Sequence, residues 1–221
     1  MTRKVFILEM LLIAAALALA AIAFPRLPER IPTHWGLNLQ PDGYSPRWSI
    51  FLVGPAAMAA TMLLAWLLPW LSPRQFEVDA FRATYRQVML MMFLVMTYIY
   101  AVMLWAGFGH PVNQGQAIVG GVCLFMALIG NVLGKVRRNF YIGIRTPWTL
   151  ASERVWNATH RFAARTLVAG GLLGFAFTLL GLHQWPIFVL LAGALAPVIY
   201  SLVYYKQLER RGELGDPLPR T

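Results

Sequence analysis

The sequence predicts an all-α membrane protein with about six transmembrane helices. Three observations predict it. Of 221 residues, 58% are hydrophobic and only 13% charged, whereas a soluble domain carries about a quarter charged residues. The apolar residues gather into six runs, each close to the roughly 20 residues that cross a bilayer. Lysine and arginine fall almost entirely on one side of those runs.

The first run covers about 5–24. Arg3 and Lys4 precede it and Ala21-Ile22-Ala23 closes it, a pattern shared with secretory leaders. It is longer than the leader core of about 7 to 15 residues, so an uncleaved first span is expected. The remaining runs cover about 49–71, 88–106, 117–133, 166–182 and 186–205. Pro55 and Pro197 are expected to bend the second and sixth spans. Gly130 with Gly134, and Gly170 with Gly174, are small pairs that let helices approach. The runs leave no stretch long enough for a soluble domain. A two-span unit over 1–71, with a structured loop, is expected to precede a four-span unit over 72–221.

Orientation follows from the connections. One side collects Arg3, Lys4, Arg74, Arg82, Arg86, Lys135, Arg137, Arg138, Arg145, Arg154, Arg161, Arg165, Lys206, Arg210, Arg211 and Arg220; the other holds Arg26, Arg30 and Arg47. The basic side faces the cytoplasm, so both termini are expected there, in a multi-pass protein of the bacterial cytoplasmic (inner) membrane. The formal net charge of +10 then reflects an anionic leaflet and not direct contact with nucleic acid. Cys123 is the single cysteine, which excludes an intramolecular disulfide and a cysteine metal cluster.

Intramembrane charge marks function, and the spans hold little of it. Glu9 lies about one turn inside span one and reads as hydrated at the interface. His110 and His183 read as loop residues. The first connection is richer. Pro25, Pro28, Pro32, Pro41 and Pro46 forbid a helix, and Asp42-Gly43 reads as a tight turn. A small ordered outer cap is expected, with Trp35, Tyr44 and Trp48 at headgroup level. His34 reads as either a ligand-binding residue or a partner of a loop carbonyl.

The connection 134–165 is the second rich segment. Thr146 before Pro147 forms an N-cap with proline at the first helical position. A helix over about 149–165 sorts into three faces at about 100° per residue. Ala151, Val155, Ala158, Phe162 and Thr166 share one face. Arg154, Arg161 and Arg165 make a basic stripe. Glu153, Asn157 and His160, with Trp156 at the border, make a third strip. Such an amphipathic helix is expected to lie in the cytoplasmic interface. Glu153 and His160 share a face but sit about 10.5 Å apart along the axis; either a ligand bridges the strip, or Glu153 pairs with an arginine. His34, Glu153 and His160 have zinc-type side chains, but the topology separates His34 from the others by a bilayer core of about 30 Å. No metal, cofactor or catalytic residue is assigned.

Two stretches carry a resemblance. Gly130-Asn131 through Lys135, the run Asn139-Phe140-Tyr141-Ile142-Gly143-Ile144-Arg145-Thr146-Pro147-Trp148-Thr149-Leu150, then Glu153, Val155-Trp156 and Thr159-His160 resemble the signature of the SdpI family of membrane immunity proteins. Leu27-Pro28-Glu29-Arg30-Ile31-Pro32-Thr33-His34-Trp35 with Pro41-Asp42-Gly43-Tyr44 resembles the short uncharacterised domain that often precedes that signature. Ala151 departs from the pattern, standing where the family often has a polar capping residue. The resemblance implies protection against a membrane-active, secreted peptide toxin. It also implies signalling, in which the occupied protein sequesters a cytoplasmic transcriptional repressor at the membrane. By it, Asn139, Gly143, Arg145, Thr146, Pro147, Trp148, Glu153, Trp156 and His160 are the functional signature, with His34, Trp35, Asp42 and Tyr44 in the outer loop. Two rival readings stay open. A transporter requires a polar path between helices. An intramembrane enzyme requires Arg145, Glu153 and His160 to converge on one cavity.

Overall fold

The computed structural model describes residues 3–73 and 78–214. Among the described residues, six helical segments are long and apolar enough to cross a membrane: Arg3–Arg26, Arg47–Leu71, Val78–Gly107, Gln114–Leu133, Glu153–Leu179 and Trp185–Arg210. Their α-helical parts are α1 (Arg3–Ala23), α2 (Ala57–Leu71), α3 (Arg82–Gly107), α4 (Gln114–Leu133), α6 (Glu153–Leu179) and α7 (Trp185–Arg210), with a short α5 (Pro147–Ala151) ahead of α6. Their outward surfaces are apolar: Leu11, Trp66, Leu179 and Ile199 are all more than half exposed. In water such a surface would drive aggregation; in hydrocarbon it is the expected exterior. The expected Arg74 and Arg220 lie outside the described residues.

The buried side chains form two cores. One gathers Ala16 and Ala20 of α1, Met58 of α2 and Phe93, Tyr100 and Leu104 of α3, together with Leu27 and Ile31. Within it the Tyr100 hydroxyl donates to the Ala16 carbonyl at 3.0 Å, so α3 is tied to α1. The other gathers Val78, Tyr85 and Val88 with Val132, Leu133, Val136 and Ile142, closed by Trp156 and Ala163 of α6.

Helices α4, α6 and α7 meet through glycines. A Cβ on Gly171 would lie 2.5 Å from the Cys123 carbonyl oxygen, and one on Gly193 would lie 2.8 Å from the Thr166 carbonyl oxygen. Gly130 and Gly170 are equally pressed, each less than 3.0 Å from a facing main-chain atom, whereas at Gly134 a Cβ would make only ordinary contacts. Thr166 uses the close approach, donating to the Gly193 carbonyl at 2.7 Å. Pro55 sits in a π-helical turn, Leu52–Ala56, that leads into α2. A proline has no N–H for the regular ladder, and the ladder slips there by one residue.

Two elements differ from expectation. The interfacial helix and the fifth span are one continuous helix, α6. The break comes before it, at Ser152, which is extended at φ −139° and ψ 128°. The arginines of 153–165 lower the hydropathy, but no proline or glycine interrupts the backbone there, so the helix runs on into the span.

The first connection is a two-stranded antiparallel hairpin, β1 (Arg30–Trp35) and β2 (Pro41–Pro46). Asp42-Gly43 is not its turn. The reversal runs over 36–40, where the Gly36 N–H donates to the Gln40 carbonyl at 3.0 Å and Leu39 takes φ 60°. Leu39 is 1% exposed; its burial offsets the cost of a left-handed leucine. Gly43 instead lies opposite His34, at an irregularity in the register, where a Cβ would fall 2.8 Å from the His34 Cβ.

Candidate functional site

The signature segment between α4 and α6 folds around Asn139, which is fully buried. Its Oδ1 accepts the N–H groups of Tyr141 (2.7 Å) and Ile142 (2.8 Å). Its Nδ2 donates to the carbonyls of Arg137 (2.7 Å) and Ile142 (3.1 Å). One amide thus satisfies four main-chain groups of a loop that has no ladder of its own, the requirement for burying irregular backbone.

Gly143 follows at φ 112°, a region closed to most side chains. Its open face is filled by His160, whose imidazole is fully buried. Nε2 accepts the Ile144 N–H at 3.0 Å, and Nδ1 lies 2.8 Å from the Trp156 carbonyl. A carbonyl only accepts, so Nδ1 carries the proton and Nε2 the lone pair. This pair of bonds fits the neutral Nδ1–H tautomer alone. The ring also stacks on Trp156, centroids 4.0 Å apart. The Trp156 indole N–H donates to the Val136 carbonyl at 2.8 Å, joining α6 to the residues just after α4.

The next residues anchor the loop to α7. Thr146 caps α5 with Pro147 at its first position, in a reciprocal box with Thr149: the Thr146 N–H donates to Thr149 Oγ1 at 2.9 Å. Trp148 in this turn donates its indole N–H to the Ser201 hydroxyl of α7. Ser201 is fully buried, and its hydroxyl donates a hydrogen bond to the Val198 carbonyl. Beyond Ala151, Ser152 stands at the N-cap of α6, though its side chain makes no cap bond.

Arg145, Glu153 and His160 meet three different environments. Arg145 is exposed, its guanidinium donating to the Phe140 carbonyl. Glu153 is half-buried and faces Arg137 at 3.6 Å. His160 is buried with both ring nitrogens engaged, which leaves no lone pair for general-base chemistry or for a metal. Among the described residues no group of three His, Cys, Asp or Glu is placed to hold a metal ion. Most of the signature therefore serves as its own scaffold, while the charged Arg145 and, in part, Glu153 reach solvent.

In the hairpin, the exposed His34 pairs through Nδ1 with Asp42 Oδ1 at 2.5 Å. Tyr44 is half exposed and lends its carbonyl to Arg30 at 2.9 Å. Trp35 is half-buried with its indole N–H enclosed and unpartnered among the described residues. The hairpin rests on the bundle where α3 ends and α4 begins: Leu27 packs against Gly107 and the Leu39 carbonyl against Gly115.

Glu9 departs from its expected hydration. It is only 3% exposed, because α2 and α3 close over it. Hydropathy of span one alone carries no sign of those neighbours.

Comparison with known proteins agrees with this architecture. Residues 135–205 match the SdpI/YfhL protein family, and residues 11–59 match a domain of unknown function, DUF1648. Over 205 residues the chain is 28% identical to the immunity protein SdpI of Bacillus subtilis (strain 168), covering 91% of this chain and 96% of that protein. No solved structure matches it. The resemblance carried by the signature and the hairpin is thereby shown: a stretch that matches the SdpI/YfhL family follows one that matches DUF1648 in one multi-pass membrane chain, which is similar along nearly its whole length to an immunity protein.

Proposed function

We propose that this protein protects a bacterial cell from a secreted, membrane-active peptide toxin, acting from the cytoplasmic membrane. The observation that carries the reading is the similarity to an immunity protein over nearly the full length of both chains. In the orientation that the arginine distribution favours, both termini and the signature loop are cytoplasmic, and the hairpin faces outward. The toxin then meets the hairpin or the outer half of the bundle. Occupancy is reported through the signature segment to Arg145 and the neighbouring arginines, whose basic surface suits an acidic patch on a cytoplasmic repressor.

A toxin-sensitive host tests the reading. Cells producing the protein are challenged with a membrane-active peptide toxin beside cells producing none, and survival is counted. Protection supports the proposal. Equal killing at verified membrane levels, across the toxins of neighbouring bacteria, contradicts it.

A further inference from the structure

Helix α1 carries a carboxylate that is buried within its span. Glu9 is 3% exposed, and its Oε2 has no hydrogen-bond partner among the described residues. It lines a cavity of about 790 Å³ enclosed by α1, α2 and the first turns of α3. Ala65, Trp66, Pro69 and Leu90 give that cavity an apolar wall. Among the described residues the charges on its other wall are Asp79, Arg82 and Arg86. Asp79 and Arg82 satisfy each other, Nε to Oδ1 at 3.0 Å, and Arg86 is exposed. Trp66 and Trp70 are 73% and 80% exposed, so the same residues that wall the cavity also reach the apolar exterior of the bundle.

A buried carboxylate is costly unless a donor or a positive charge meets it, and an ionisable group inside a span marks a functional place. A ligand that matches this lining brings a hydrogen-bond donor to Glu9 Oε2 and an apolar body to Trp66 and Leu90. We propose that this cavity binds an amphiphile bearing a primary ammonium group, which donates to the Glu9 carboxylate while an acyl or alkyl chain lies along α2 and α3. This inference does not rest on protection against a toxin; it stands or falls on binding.

Trp66 and Trp70 supply the readout. The protein in phosphatidylcholine nanodiscs is titrated with tetradecylamine carrying a nitroxide on its chain, and with tetradecanol carrying the same nitroxide. Quenching of tryptophan fluorescence is followed, and the Trp66→Phe/Trp70→Phe variant defines the share that arises at the cavity. The wild-type protein should quench at amine concentrations about tenfold below those of the alcohol, as expected for one charge-assisted hydrogen bond. Glu9→Gln should bring the amine curve onto the alcohol curve. Coincident curves on the wild-type protein overturn the proposal, as does a Glu9→Gln curve identical to wild type. Should Glu9→Gln fail to fold, the amine-against-alcohol contrast on the wild-type protein decides alone. Discs containing phosphatidylethanolamine identify the source: displacement of the amine points to a lipid headgroup, and persistence of the signal to a free amine.

Discussion

A Cβ on Gly143 would lie 2.2 Å from Nε2 of His160, the atom that accepts the Ile144 N–H. A left-handed backbone and a buried imidazole thus occupy each other's space, and neither residue can change without the other. Gly143→Ala is expected to destabilise the protein by more than about 2 kcal/mol, since strain and collision add. Unfolding in detergent checks it. A melting temperature unchanged from wild type would refute the packing described for this pair.

His160 acts here as a hydrogen-bonding plug. His160→Phe keeps a planar ring against Trp156 but strands the Ile144 N–H, and should cost about 1–3 kcal/mol. His160→Ala removes the ring as well and should cost more. If both variants fold as stably as wild type, the imidazole has a task other than holding the loop.

Trp148 and Ser201 couple the signature to α7 across the sequence. Trp148→Phe and Ser201→Ala should each cost about 1 kcal/mol, and the double variant less than their sum. A double-mutant cycle on thermal unfolding reads the coupling directly. Strict additivity would show that the indole and the hydroxyl do not depend on each other.

Gly193 lets α7 approach α6 at Thr166. Gly193→Leu should separate the two helices and lower stability by about 1–3 kcal/mol, as overpacking does. Cysteine cross-linking between α6 and α7 would report the separation. Undiminished cross-linking with unchanged stability would contradict the close approach.

Hydropathy made the six spans legible, because lipid exposure demands continuous apolar runs whatever their partners. It misplaced the start of α6, since arginines alter solvent preference without ending a helix. Proline spacing announced a non-helical first connection, yet the turn lay at 36–40 and not at Asp42-Gly43. That choice depends on burying Leu39 against Gly115, a contact between distant segments. Thr146 and Pro147 announced the start of α5 because capping is local. The four bonds of Asn139 and the partnership of Trp148 with Ser201 had no local signature. Glu9 was misread for the same reason: what surrounds it comes from α2 and α3.

Survival measured on Arg145→Ala beside wild type tests the account most directly. The Arg145 side chain is exposed and spans only its own loop, so the variant should fold within about 0.5 kcal/mol of wild type and reach the same membrane level. The account predicts that wild-type cells survive toxin challenge and that Arg145→Ala cells lose most of that protection. Full protection by a well-folded Arg145→Ala protein would contradict the role given to this residue, and no protection by the wild-type protein would contradict the immunity function itself.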